Sequence, residues 1–232
     1  MASYITSSTF SLSVMGFVGI IGSLVLFMDY RRQQNDLTGF FALLFCGMGI
    51  TGFLFTAASI AAAAGSFATE WLFMAGHIVL IFALALFMQF PAKVLSPKMI
   101  RPTFYVFLFL AVIASVIIVM SPLDTIRVGN DLVKDTMSVP TAIMVAGFDA
   151  ITLLTAIVVF ISFGSKLKEK EFKAQSFIFA LGLLVVFFAG PSHSLARTSV
   201  QFFMADIFTA IGMLILLIGI FFPRLAKPAV RA

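Results

Sequence analysis

The stretch SFATEWLFMAGHIVLIFALALFMQF, residues 66–90, decides the fold class of this chain. It is predominantly apolar and longer than the roughly 20 residues that a helix needs to cross a bilayer. Over all 232 residues, 61% are hydrophobic and only 11% are charged, a balance that excludes an ordinary soluble domain. The sequence therefore predicts a polytopic membrane protein.

Six further apolar stretches accompany the first, and together they predict an all-α, seven-transmembrane helix bundle that forms one domain over residues 1–232. We number these predicted spans 1 to 7 in chain order. They cover about residues 9–28, 39–63, 66–90, 103–120, 141–163, 177–192 and 201–222. Pro91 is expected to end span 3. Because no basic residue precedes span 1, this span is not expected to be a cleaved signal.

Basic residues follow every second span. Twelve of the 15 lysines and arginines lie after spans 1, 3, 5 and 7, at Arg31, Arg32, Lys93, Lys98, Arg101, Lys166, Lys168, Lys170, Lys173, Arg224, Lys227 and Arg231. Because cytoplasmic loops carry the excess of Lys and Arg, the N-terminus is predicted outside and the C-terminus in the cytoplasm. This pattern fits a multi-pass protein of a prokaryotic cytoplasmic membrane.

Four ionisable residues fall within the predicted spans, and all four lie toward the outer side: Glu70, His77, Asp149 and Asp206. The inner halves are expected to carry none. A charged side chain at membrane depth costs roughly 2.5 to 3.5 kcal/mol on insertion scales, so such residues commonly mark a site or a water-filled cavity. The sequence therefore predicts a polar pocket that opens outward.

Depth separates these candidates. Glu70 and Asp206 lie near the starts of their spans and could instead stabilise helix N-termini, with Arg197 as an interfacial partner of Asp206. His77 and Asp149 lie too deep to act as caps, and each needs an internal partner or water. The strongest expectation is therefore a site built on His77 and Asp149.

Three chemistries fit this set of residues. His77 and His193, with Asp149 or Asp206, could hold a metal ion, although no ligand spacing such as HxxxH supports it. The same two histidines could bind one b-type haem axially. The third possibility is a proton-responsive or ligand-binding pocket, in which carboxylates and an imidazole titrate near the working pH.

Two local patterns predict structure outside this site. Between spans 4 and 5, IRV and DLV flank Gly129-Asn130, which predicts a β-hairpin with a two-residue turn. In span 2, the small residues Ala57, Ala61 and Gly65 recur every four positions, a spacing that predicts close approach by a neighbouring helix.

Glu70-Trp71-Leu72-Phe73 in span 3, and Asp206 followed by an apolar run and Gly212 in span 7, resemble the corresponding helices of the microbial rhodopsin family. The resemblance implies a seven-helix bundle with an outside N-terminus and acidic residues at Glu70 and Asp206. The retinal-binding lysine of that family corresponds to Ala210, and no span contains a lysine. A retinal Schiff base is therefore not expected.

The sequence contains no nucleophile elbow, HExxH motif or phosphate-binding glycine loop, so an enzyme is not expected. The favoured function is that of a receptor or sensor-like membrane protein with an outward-facing polar pocket. Nothing after span 7 resembles an effector, so signalling is expected through a membrane protein partner or a homo-oligomer, with no role for nucleic acid. The alternatives are an accessory or redox subunit that holds haem b or a metal, and a transporter or channel.

Overall fold

The computed structural model describes residues 7–121, 123–128, 132–195 and 198–226. These residues form eight α-helices, one short 3₁₀ turn at Pro97–Met99 and one β-hairpin. The elements are α1 (Ser7–Gln33), α2 (Asp36–Ala63), α3 (Ala68–Phe87), α4 (Gln89–Leu95), α5 (Ile100–Met120), β1 (Asp124–Val128), β2 (Leu132–Thr136), α6 (Val139–Lys166), α7 (Lys170–Leu195) and α8 (Ser199–Ala226).

Seven segments of the described chain are long and apolar enough to cross a membrane, with α3 and α4 together forming the third. The prediction of seven helices that are long and apolar enough to cross a membrane is confirmed. Several helices run further than their predicted spans. In particular, α1 continues to Gln33, and α7 passes through Gly190 to end at Leu195.

The third span is interrupted near its end. Helix α3 ends at Phe87, and a new helix, α4, begins at Gln89 with Pro91 inside it. A proline ring clashes with the carbonyl group four residues earlier and removes a backbone donor, and here that earlier residue is Phe87. Pro91 therefore breaks the helix one turn before its own position, whereas it was expected to end the span.

The helices form a closed ring. Each membrane-length helix packs against the next, α8 packs against α1, and α3 also reaches across to α6. The hairpin and the start of α1 lie at one end of the bundle, here called the hairpin end. The opposite end carries most of the lysines and arginines and is called the basic end.

The all-α prediction omitted the hairpin that the local sequence pattern indicated. Strands β1 and β2 pair antiparallel, and Val128 is opposite Leu132 in the last pair. Residues 129–131 separate these two positions. Those three residues, which include Gly129 and Asn130, lie outside the described residues.

Aromatic rings fill the interior toward the basic end. Phe41 of α2 stacks on Phe179 of α7 with ring centroids 4.9 Å apart, and Phe90 of α4 stacks on Phe160 of α6 at 5.0 Å. Phe41 and Phe179 are almost completely buried. This packing joins four helices through apolar contacts.

Glycines set the crossing of α1 and α2. A Cβ atom on Gly19 would lie 2.4 Å from the Cα of Gly49, and one on Gly52 would lie 2.7 Å from the backbone nitrogen of Gly16. Close approach of this kind requires residues without side chains. The predicted small-residue motif was wrong at Gly65, which lies beyond α2 in a turn with φ of 68° and where an added Cβ atom would meet nothing within 4 Å.

Candidate functional site

His77 of α3 and Asp149 of α6 lie on two contacting helices in the hairpin half of the bundle. His77 lies about 14 Å along α3 from Ala68, and Asp149 lies about 15 Å along α6 from Val139, so the two residues have similar depth. The imidazole and the carboxylate interact electrostatically. The structure therefore brings together the two residues that the sequence favoured most.

One polar atom of each residue in this pair is withdrawn from solvent. His77 Nδ1 and Asp149 Oδ1 are both buried, and Asp149 Oδ1 has no hydrogen-bond partner among the described residues. One turn further along α6, the hydroxyl group of Thr152 donates to the backbone carbonyls of Phe148 and Asp149, both at 2.9 Å. Asp149 therefore lies in a regular α-helical segment of α6.

Phe55 of α2 packs against the histidine. The two ring centroids lie 4.9 Å apart, and Phe55 also contacts Phe73 of α3 at 5.5 Å. The close fit depends on Gly76, because a Cβ atom there would lie 2.3 Å from the Phe55 ring. The Phe55 ring therefore limits the orientation available to the His77 side chain.

Asp206 belongs to a second polar group at the contact between α1 and α8. Its carboxylate accepts a hydrogen bond from Ser11 Oγ, and both residues are 1% exposed. Hydroxyl pairs also connect α1 with α2: Thr9 with Ser59 at 3.0 Å, and Ser13 with Thr56 at 3.4 Å. Helix α1 is thereby hydrogen-bonded to both of its neighbours near the hairpin end.

The two polar groups meet at Phe55. On one side Phe55 contacts the ring of His77, and on the other it packs against Leu12 and Phe202, which are close to Ser11 and Asp206 in the chain. From the sequence, the acids and the histidine are expected to line one polar pocket. The described residues show two groups with an aromatic ring between them.

The remaining candidates lie apart from the pair or beyond what the structure describes. Glu70 is exposed in the first turn of α3, where a carboxylate interacts favourably with the helix dipole. Arg197 lies outside the described residues, and His193 lies in α7 with a side chain that is not described. Ala210 is buried in α8.

No group of three or more His, Cys, Asp or Glu residues that could hold a metal ion occurs within the described part of the chain. Because the side chain of His193 is not part of that description, the pairing of His77 with His193 on a metal or a haem remains a prediction.

Asp29 is a buried acid that was not among the candidates predicted from the sequence. It lies in α1 near the basic end, is 7% exposed, and accepts a hydrogen bond from Gln33 Nε2 at 3.0 Å. Asp29 lies one residue beyond the predicted end of span 1, and it is helical because α1 continues to Gln33. Asp29 lies three residues after the apolar Leu26, which puts both residues on one helix face. This spacing is the sequence pattern that could have indicated a buried acid.

Known proteins do not indicate a function for this arrangement of residues. No protein-family model and no curated protein matches this chain.

Proposed function

We propose that this protein is a non-enzymatic membrane receptor that senses protons through His77 and Asp149 and acts through a partner protein. The observation that carries the proposal is the carboxylate–imidazole pair of α6 and α3, in which Asp149 Oδ1 and His77 Nδ1 are buried. A histidine changes its charge between about pH 5 and pH 8, which makes it the usual residue of pH sensors.

A proton on this pair changes the energy of the contact between two helices. Charges are costly in a low-dielectric interior unless they are paired and hydrogen-bonded. Adding a proton to His77 or Asp149 alters the net charge of the pair, and therefore alters the favoured separation of α3 and α6. A molecular switch needs such a change in charge at a structural element that can adopt two conformations. Here that element is the contact between α3 and α6.

The direction of sensing follows from the distribution of basic residues. If the basic end lies in the cytoplasm, as the positive-inside rule requires, the hairpin end faces outward and the pair lies in the outer half. Helix α6 then leads from Asp149 to Lys166 at the inner surface. The connections at residues 34–35 and 167–169 are short. A partner protein that binds there would therefore contact the ends of the helices and respond to their movement.

Infrared difference spectroscopy tests proton uptake by the pair. The protein is reconstituted in vesicles, and the pH is lowered from about 8 to about 5, the range in which an imidazole–carboxylate pair can change its proton content. We expect a carboxyl or imidazole band that is lost in Asp149→Asn and altered in His77→Gln. The matched control is Asp206→Asn, which changes the other buried acid of the hairpin half and should leave that band in place.

Hydrogen exchange tests whether the signal travels along the helix. In the wild type, amide exchange in α6 and at residues 167–169 should change with pH, and Asp149→Asn should remove this change. Correct folding of each variant is checked by its helix content. An unchanged infrared band in Asp149→Asn, or pH-independent exchange in the wild type, would contradict the proposal.

A proton transporter is the second candidate, and the buried Asp29 near the basic end favours it. A conducting pathway needs polar groups in both halves of the membrane. Vesicles that contain a pH-sensitive dye distinguish the two functions. If the protein is a transporter, the wild type should dissipate an imposed pH gradient faster than the Asp29→Asn variant. If it is a receptor, the gradient should be equally stable with the wild type and with the variant.

A further inference from the structure

An apolar groove of about 320 Å³ runs along the outer surface of the bundle between α1 and α8. On α1 it is lined by Val14, Val18, Ile21 and Val25, and on α8 by Leu217 among other apolar side chains. Its walls are exposed to the surroundings of the bundle, because Ile21 is 59% exposed and Val25 is 37% exposed. In a membrane, this surface meets lipid chains.

The length of the groove matches one leaflet. Val14 and Val25 are eleven residues apart in α1, which corresponds to about 16 Å along the helix axis. The hydrocarbon core of a bilayer is about 30 Å thick, so the groove spans about half of it. A single acyl chain that enters from the basic end can therefore occupy the part of the groove nearest Val25.

A positive charge follows the groove at headgroup depth. Val18, Val25 and Arg32 are spaced by seven residues, which puts them on one face of α1, and Arg32 lies about 10 Å beyond Val25 toward the basic end. Arg32 is exposed. Asp29 lies nearby, but its carboxylate is buried and accepts a hydrogen bond from Gln33, so Arg32 is the charge that this face presents.

We propose that the α1–α8 groove is a binding site for an anionic phospholipid, with one acyl chain in the groove and the phosphate at Arg32. Basic residues at the membrane surface attract anionic headgroups. The chain contributes apolar contact along the groove, and the guanidinium group can bind a phosphate through two parallel hydrogen bonds. The site is separate from the His77–Asp149 pair and does not depend on its function.

Photo-crosslinking locates the acyl chain. The full chain is reconstituted in phosphatidylcholine vesicles that contain phosphatidylglycerol with a photoreactive group on one acyl chain. Crosslinked peptides should concentrate in residues 14–25 and 214–221. Equal labelling of the exposed face of α6, which includes Ile143, Ile151 and Val158, would show ordinary annular lipid and overturn the proposal.

Two neighbouring arginines test the headgroup contact. Arg32→Gln should reduce crosslinking in the groove by about fivefold, the effect of removing one surface charge from an anionic lipid contact. Arg31→Gln makes the same change in charge one residue earlier, 100° around the helix, and should alter crosslinking by less than about twofold. Equal losses in the two variants, no loss in either, or equal groove labelling by photoreactive phosphatidylcholine would overturn the assignment of an anionic lipid.

Discussion

At the scale of single residues, the buried acids differ in their surroundings. Asp206 accepts a hydrogen bond from the hydroxyl group of Ser11, whereas Asp149 interacts electrostatically with the imidazole of His77. A serine hydroxyl carries no charge near neutral pH, whereas an imidazole can gain one there, so an acid beside a histidine is better suited to a proton-dependent role. This contrast is why we assign sensing to Asp149.

The depth of these residues could be predicted from the sequence, but their partners could not. Hydropathy places His77 and Asp149 well inside their spans because long apolar runs surround them. It does not give the rotation of each helix, so the division of the acids into two groups by Phe55 was not foreseen. Ser11 was overlooked for the same reason: hydroxyl residues are common in such helices, and only contact with Asp206 distinguishes this one.

Ser11→Ala should destabilise the protein by about 1–3 kcal/mol, because it leaves the buried Asp206 carboxylate without the hydroxyl donor. Equilibrium unfolding in detergent micelles measures the loss. Ser115→Ala is the matched control, since Ser115 donates only to the carbonyl of Ala111 in its own helix, and its effect should stay within about 0.5 kcal/mol. Equal effects of the two substitutions would contradict a structural role for the bond to Asp206.

At the scale of helices, proline and glycine explain where the structure departs from regular spans. Pro91 interrupts the third span at Phe87 because its ring conflicts with that carbonyl group. The glycines of α1 and α2 allow the two backbones to touch, which the spacing of Ala57 and Ala61 alone could not reveal. Four-residue spacing indicates that one helix has a face of small residues. Close contact between two helices also requires glycines at the matching positions of the second helix.

Gly19→Ala should weaken the contact of α1 with α2. The added methyl group would lie 2.4 Å from Gly49 Cα, a backbone atom that cannot move aside without separating the helices. Overpacking of this kind costs about 1–3 kcal/mol. The measurement is thermal unfolding of the purified protein, for which Gly19→Ala should lower the midpoint.

Gly147→Ala provides the control for this substitution. Gly147 is also inside a helix, and a Cβ atom there would meet nothing within 4 Å. The better helix propensity of alanine should leave stability unchanged or raise it by up to about 1 kcal/mol. A Gly19→Ala protein as stable as Gly147→Ala would show that the close crossing of α1 and α2 is not required.

At the scale of the whole molecule, the seven spans and the hairpin could be predicted because their signals are local. Apolar length predicts each span, and Gly129-Asn130 between apolar runs indicates the hairpin. The order of the ring required the structure, because contacts such as α1 with α8 join distant parts of the sequence. The additional length of α1, with Asp29 inside it, also required the structure, since polar residues at a helix end resemble a loop in a hydropathy profile.

The measurement that tests the central claim most directly is a one-sided pH change followed by infrared spectroscopy of Asp149. Vesicles are prepared with the hairpin end outward, verified in a Cys46→Ala protein by labelling Phe67→Cys but not Lys168→Cys from outside; both positions are exposed, at opposite ends of the bundle. Lowering only the external pH should produce the infrared change that Asp149→Asn removes. A change that follows only the internal pH, or one that persists in Asp149→Asn, would contradict an outward-facing sensor built on His77 and Asp149.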